Sequence, residues 1–157
     1  MPDFLGVPPV HPIALVAGKA GVIVSCSVLI LRFIGVDLLG VTADRMRLPA
    51  ALAAIAGILI LLTALLRLGR SVRVGLPVEA TTLRTTGVYA LSRNPMYVSG
   101  FLVCLASCAY VPHWLNLGCT LLAGFVHYRI VLSEERFLDQ RFGDAWRAYR
   151  SRVRRYL

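Results

Sequence analysis

Leu48 to Leu66 reads LPAALAAIAGILILLTALL, 19 residues without a formal charge. A bilayer core of about 30 Å takes roughly 20 mostly apolar residues in a helix rising about 1.5 Å per residue, so this stretch alone predicts a membrane crossing. Pro49 suits the first turn of such a helix, where a missing N–H costs nothing. Working outward, Ile13 to Ile34 is a second apolar run, interrupted by Lys19 and closed by Arg32. From Asn94 to Tyr128 no charged residue occurs, and Pro112 and Asn116 supply the natural break of a tight hairpin. The expected fold is therefore all-α: a polytopic membrane helix bundle forming a single domain. It has four transmembrane helices at 13–34, 48–66, 95–111 and 114–133, a cytoplasmic loop at 69–93 and a cytoplasmic amphipathic tail helix at 134–155.

Composition agrees with that reading. The chain of 157 residues is 57% hydrophobic and only 16% charged, too apolar for an ordinary soluble domain and too short for several. Its 17 basic residues against 8 acidic ones are all arginine except Lys19. These arginines flank apolar runs instead of forming a soluble patch interleaved with aromatics, which points to anionic headgroups of membrane lipids and away from nucleic acid. The four cysteines lie inside apolar segments without CxxC spacing, so a packing role is expected and no metal or disulfide. The first twelve residues carry four prolines and no basic n-region, so no cleaved signal is expected and the first apolar run is read as part of the bundle.

Orientation follows from the loops. Arg67, Arg70, Arg73, Arg84 and Arg93 follow the second helix and seven arginines follow Glu135, whereas the loop between the first two helices has only Arg45 and Arg47, offset by Asp37 and Asp44. Basic residues near helix ends stay cytoplasmic, so both termini are expected there, in an inner or plasma membrane. In the tail, Leu138, Phe142, Trp146, Tyr149 and Val153 are spaced four, four, three and four apart, one helical stripe among arginines. That pattern fits an interfacial helix with its aromatic face on lipid or protein.

Two places could carry chemistry. Asn94 is a favoured N-cap and Pro95 a favoured first-turn residue, which fixes a helix start beside Arg93. Read as sequence, this is either a simple cap with an interfacial arginine or, through its free N–H groups and positive dipole end, a site for a carboxylate or phosphate. Glu134 and Glu135 form an acidic pair where a membrane helix reaches the surface, which is unfavourable at a helix C-terminus unless the helix continues or a cation answers it. Successive helical residues diverge by about 100°, so only one of the pair is expected to face the bundle interior. His127 and Glu134, seven apart, share a face. Pairing with nearby arginines and a ligand role both remain open for the glutamates.

The string Gly87-x-Tyr89-x-x-x-Arg93-Asn94-Pro95-x-Tyr97 is followed after a hairpin by Glu134-Glu135-x-x-Leu138-x-x-x-Phe142-Gly143-x-x-Trp146-x-x-Tyr149. Together they resemble the isoprenylcysteine carboxyl methyltransferase and phospholipid methyltransferase family of integral membrane enzymes, over roughly Leu76 to Tyr156. The resemblance implies a methyltransferase that uses S-adenosylmethionine and a lipophilic small-molecule or lipid acceptor (carboxylate, thiol or amine) reaching the site from the bilayer. Arg93, Asn94, Pro95 and Tyr97, with Tyr89 nearby, look like its first cofactor-binding motif, and Glu134 and Glu135 like its second. Leu76 and Pro77 fall where relatives tend to have proline and are assigned to the cofactor entrance. The prenylcysteine enzymes commonly have His where this chain has Asn94, which leaves the acceptor open. If that acceptor needs deprotonation, Glu134, His127, Tyr89 and Tyr97 are unranked candidates for the base.

Rival readings are an NADPH-dependent membrane reductase of sterol-reductase-like architecture and a small transporter or non-catalytic membrane protein, in which Lys19 would be the functional charge. Six residues from its helix start, Lys19 is expected to snorkel to the surface. Gly57 and Gly118 are expected to serve packing, and Trp114 to sit in an aromatic belt at the far face.

Overall fold

The computed structural model describes residues 10–68 and 82–157. Four long helices make the fold: α1 (Pro12–Phe33), α2 (Arg47–Leu68), α3 (Pro95–Tyr110) and α4 (Trp114–Arg150), with short 3₁₀ turns at Asp44–Met46 and Gly87–Ala90. No strand occurs among the described residues. By length and apolarity α1, α2 and α4 can each cross a membrane. α3 is apolar too, but its 16 residues rise only about 24 Å, short of a bilayer core of about 30 Å.

Consecutive helices run antiparallel, α1 and α3 pack in parallel, and glycine sets how closely α1 approaches α4 and α2 approaches α3. A Cβ on Gly18 of α1 would lie 2.6 Å from Val126 Cγ1, and one on Gly21 would lie 2.7 Å from the Cys119 carbonyl. A Cβ on Gly57 of α2 would lie 2.9 Å from the Ser99 carbonyl of α3. Thus α1 packs chiefly on α4 and α2 chiefly on α3, while α3 and α4 share less of their length. Gly118 has nothing within 4 Å of such a Cβ, so the packing role expected for it is not realised.

Polar side chains tie the pairs together inside the apolar layer, where hydrogen bonds have no water to compete with. Ser25 and Thr120 hydroxyls lie 3.0 Å apart, Ser107 Oγ donates to the Ser25 carbonyl at 2.7 Å, and Asn116 Nδ2 donates to Ser107 Oγ at 3.0 Å. Below them, Ala43 N–H donates to the Tyr110 carbonyl and Arg32 Nε to Thr42 Oγ1, closing the end away from the two motifs. Trp114, 76% exposed, stands at that end. Leu52, Ile55, Leu59, Leu62 and Leu66 leave one face of α2 exposed and apolar, the surface that lipid covers.

The last membrane helix and the tail are one element. α4 runs on through the glutamate pair to Arg150, bent at Gly143, whose φ of +49° is open to glycine and strained for other residues. The tail helix expected over 134–155 therefore stops at Arg150, and residues 151–157 leave it as a non-helical strap. The stripe faces protein: Trp146 is 2% exposed and Tyr149 3%.

Candidate functional site

Pro95 opens α3 at its first turn, and Asn94 occupies the N-cap position, but the Asn94 side chain does not cap. Its Nδ2 instead donates to the Arg155 carbonyl at 3.1 Å. Ser92 Oγ donates to the same carbonyl at 3.3 Å, and the Arg93 N–H donates to the Arg154 carbonyl at 3.0 Å. The Ser92–Asn94 segment is thus a clasp for the strap, a role that a capping propensity read from sequence does not reveal.

This clasp brings the two motifs into contact. Arg93 Nη2 lies 3.3 Å from Glu135 Oε1, with both side chains less than 10% exposed. Glu135 Oε2 accepts from Arg155 Nε at 3.1 Å and Nη2 at 2.8 Å. One step earlier on α4, Glu134 Oε1 accepts from the Tyr97 hydroxyl at 2.8 Å, and the Tyr97 ring stacks on His127 with centroids 5.6 Å apart. Both glutamates therefore point inward, contrary to the expectation from their 100° separation. The start of α3 receives Glu134, and the strap wraps far enough around α4 to receive Glu135.

Several buried groups still lack partners. Among the described residues, Arg93 Nε and Nη1, Glu135 Oε1 and Trp146 Nε1 make no hydrogen bond, although the Arg93 guanidinium lies over the Trp146 ring at 5.5 Å. The Arg93–Glu135 approach is thus a charge contact without hydrogen-bond alignment. Buried N–H groups left unpaired cost about 1–3 kcal/mol each, more when charged, so such a cluster marks a place built for something else to bind.

Arg93 and Trp146 line one cavity of about 1130 Å³, together with Tyr89, Asn94, Pro95, Tyr97 and Glu134. The same cavity runs down between α3 and α4 into the apolar layer, where Phe101, Leu105, Leu121 and Phe125 form its walls. Glu135 is not among its lining residues. Glu134 is the first residue past the apolar span 114–133; burial pushes its carboxyl up to about 7, opposed by the Tyr97 hydrogen bond. Burial lowers the Arg93 guanidinium from its ordinary value, with the Glu135 charge pulling the other way, and the Glu135 hydrogen bond raises Arg155. Tyr89 and Tyr149 are pushed up to about 12 by burial, and the Tyr149 hydroxyl donates to the Tyr89 carbonyl at 2.6 Å.

The family model for phospholipid methyltransferases matches residues 46–145, nearly two thirds of the chain. The chain belongs to the phospholipid methyltransferase family. A search of curated proteins and one of solved structures each find no match. Membership makes it a membrane methyltransferase in general terms, on an all-helical frame that carries both family motifs at one end. Leu76 and Pro77 lie outside the described residues. The matched region stops before Trp146, Tyr149 and Arg155, which complete the site; the tail's aromatic stripe and the second motif marked Trp146 and Tyr149 in the sequence, and Arg155 was one of seven tail arginines with nothing to single it out.

Proposed function

We propose that this protein transfers a methyl group from S-adenosylmethionine to a lipophilic acceptor that enters from the bilayer. One observation carries the reading: buried Arg93, two of whose guanidinium nitrogens lack partners, and Glu134 both border the polar end of a cavity whose other end has apolar walls between α3 and α4. The donor set suits the methyl donor chemically. Arg93 Nε and Nη1 match a carboxylate, and arginine–carboxylate pairing is strong because both partners are charged. Glu134 matches an ammonium or ribose hydroxyls, while Trp146, Tyr89 and Tyr149 offer aromatic surface and one free indole N–H. The bound donor would supply a methyl group on a sulfonium, open to in-line displacement.

The chain's own residues then have the tasks of holding, aligning and drying. Arg93 is held against Trp146 and Glu135, so its free edge is fixed before any ligand arrives, and fixed geometry of this kind is worth much of a bimolecular barrier. Tyr97 holds Glu134 at the cavity edge through its hydroxyl. The strap and Phe142 border the polar end, and a pocket dried by a bound ligand would favour a reaction that disperses charge. The basic rim supports a cytoplasmic position for this end and for both termini.

Calorimetric titration with S-adenosylhomocysteine tests the reading. Wild type should bind, and Arg93→Ala should lose at least about tenfold in affinity, since hydrogen bonds to charged groups contribute about 1.5–3 kcal/mol. Unchanged affinity in both Arg93→Ala and Glu134→Ala, or thermal stabilisation of wild type by NADPH in place of S-adenosylhomocysteine, would overturn it.

A further inference from the structure

Along α4 the cavity wall runs from Leu121 and Phe125 through His127 to Glu134. His127 therefore sits where the apolar part of the cavity gives way to the polar end, about 10.5 Å of helical rise before Glu134. Its Nδ1 lies 2.7 Å from the Ala123 carbonyl, one turn back on its own helix. A carbonyl oxygen only accepts, so in the neutral ring the hydrogen belongs to Nδ1 and Nε2 carries a lone pair. With Nδ1 turned back on the helix, the edge bearing Nε2 looks away from α4 into the cavity, and among the described residues it has no hydrogen-bond partner. The Tyr97 ring, tilted 54° with centroids 5.6 Å apart, holds the imidazole from the side of α3.

Three other groups near the polar end are able to take a proton, and each is otherwise engaged. Tyr97 already gives its hydroxyl hydrogen to Glu134 at 2.8 Å, and as a phenolate it would face that carboxylate charge against charge. Burial pushes the Tyr89 hydroxyl up to about 12, so it stays protonated near neutral pH. Glu134 accepts from Tyr97 and is the group matched above to the methyl donor's ammonium or ribose hydroxyls. Only the imidazole offers the cavity a lone pair that nothing else uses.

We propose that His127 Nε2 is the base of the methyl transfer, taking the proton from the acceptor atom that receives the methyl group. The assignment rests on the proposed methyltransferase function. The acceptor's N–H or S–H bond breaks and its proton joins Nε2, making the ring an imidazolium. The electron pair left on nitrogen or sulfur forms the new bond to the methyl carbon, while the donor's carbon–sulfur bond breaks and its pair stays on that sulfur. One positive charge passes from sulfonium to imidazolium, and water reclaims the proton when the product leaves.

Nitrogen NMR of protein labelled in its three histidine rings tests the geometry without any methyl donor. The signals absent from His127→Asn belong to His127; they should show Nε2 unprotonated, and dodecanethiol or dodecylamine should shift that Nε2 signal while dodecanoate should not. Methyl transfer from S-adenosylmethionine to the same three probes tests the role. Wild type should methylate the thiol or the amine, and His127→Asn, whose amide can still donate to the Ala123 carbonyl, should lose at least about a hundredfold in kcat. Its affinity for S-adenosylhomocysteine should stay that of wild type, and added imidazole should restore part of the activity of His127→Ala. A wild type that fails to bind S-adenosylhomocysteine sinks the methyltransferase reading, whereas the tautomer of His127 is read independently of it. A hydrogen on Nε2 in the unliganded protein overturns the base assignment, even if neither variant folds. So does a wild type that methylates neither thiol nor amine, or a folded His127→Asn that keeps wild-type kcat.

Discussion

The adjacent glutamates divide their work, and neutralising them one at a time exposes the division. Glu135 answers two arginines: its side chain is 8% exposed, that of Arg93 7% and that of Arg155 29%. Removing one partner of a buried pair costs about 3–5 kcal/mol, because the remaining charge stays buried without an answer. In Glu135→Gln, Arg155 can turn toward water and Arg93 cannot, so the expected loss is near the low end, about 3 kcal/mol. Glu134→Gln behaves differently. Gln still accepts from the Tyr97 hydroxyl, and burial already drives the Glu134 carboxyl toward its neutral form, so stability should change by no more than about 1 kcal/mol. Affinity for S-adenosylhomocysteine should nonetheless fall at least about tenfold in Glu134→Gln. Reversible unfolding in mild detergent, paired with calorimetry, reads both quantities, and the double variant Glu135→Gln/Arg93→Gln, which removes the stranded buried charge, should recover part of the single-variant loss. A Glu134→Gln protein less stable than Glu135→Gln would refute this partition.

Three further outcomes follow from the same geometry. Because the fold holds the Glu134 carboxyl above its ordinary value, the stability it contributes is present below about 4.5 and is lost as pH rises through about 7. Thermal unfolding of the unliganded protein should show that loss and Glu134→Gln should lack it, whereas an ammonium ligand held by the carboxylate should bind up to about tenfold more weakly per pH unit below 7. Gly18→Ala, whose new Cβ meets Val126 at 2.6 Å, should destabilise by about 1–3 kcal/mol, while Gly118→Ala, with open space around it, should be neutral or stabilising in the same denaturation assay. Asn94→Ala removes the donor to the Arg155 carbonyl, so limited trypsin digestion should cut the strap at Arg152, Arg154 or Arg155 faster than in wild type; equal rates would show that the clasp does not hold the strap.

The helices were legible because membrane physics writes them plainly: an uncharged run such as Leu48 to Leu66 has few alternatives in a bilayer. The motifs were legible as residue types at fixed spacing. Their partners were not, because hydrogen bonds across 61 residues, as between Asn94 and Arg155, leave no periodic trace. Asn94 shows the limit well, since its cap propensity describes an isolated helix start and the strap carbonyl competed successfully for the same amide. The glutamates show a second limit. Helical geometry set their 100° separation correctly, but the number of surfaces packed around α4 decided that both would be enclosed. Gly18 and Gly21 were passed over because their close contact with α4 depends on which helices become neighbours.

Several groups that complete the site lie outside the family match. The family match ends at residue 145, yet the Trp146 ring under Arg93 and the Arg155 guanidinium on Glu135 both lie beyond it, as Lys19 does at the other end of the chain. The matched segment therefore supplies Arg93, Tyr97, Glu134 and Glu135 as groups, and the flanking segments fix their orientation and bound the space they face. A buried arginine with two unpartnered nitrogens persists only if its surroundings hold it in place, and here that support comes from Trp146 on one side and the Glu135–Arg155 pair on the other. What the family shares would then be the chemistry of the polar end, while α1 and the strap, which flank the match, would set what this particular cavity admits.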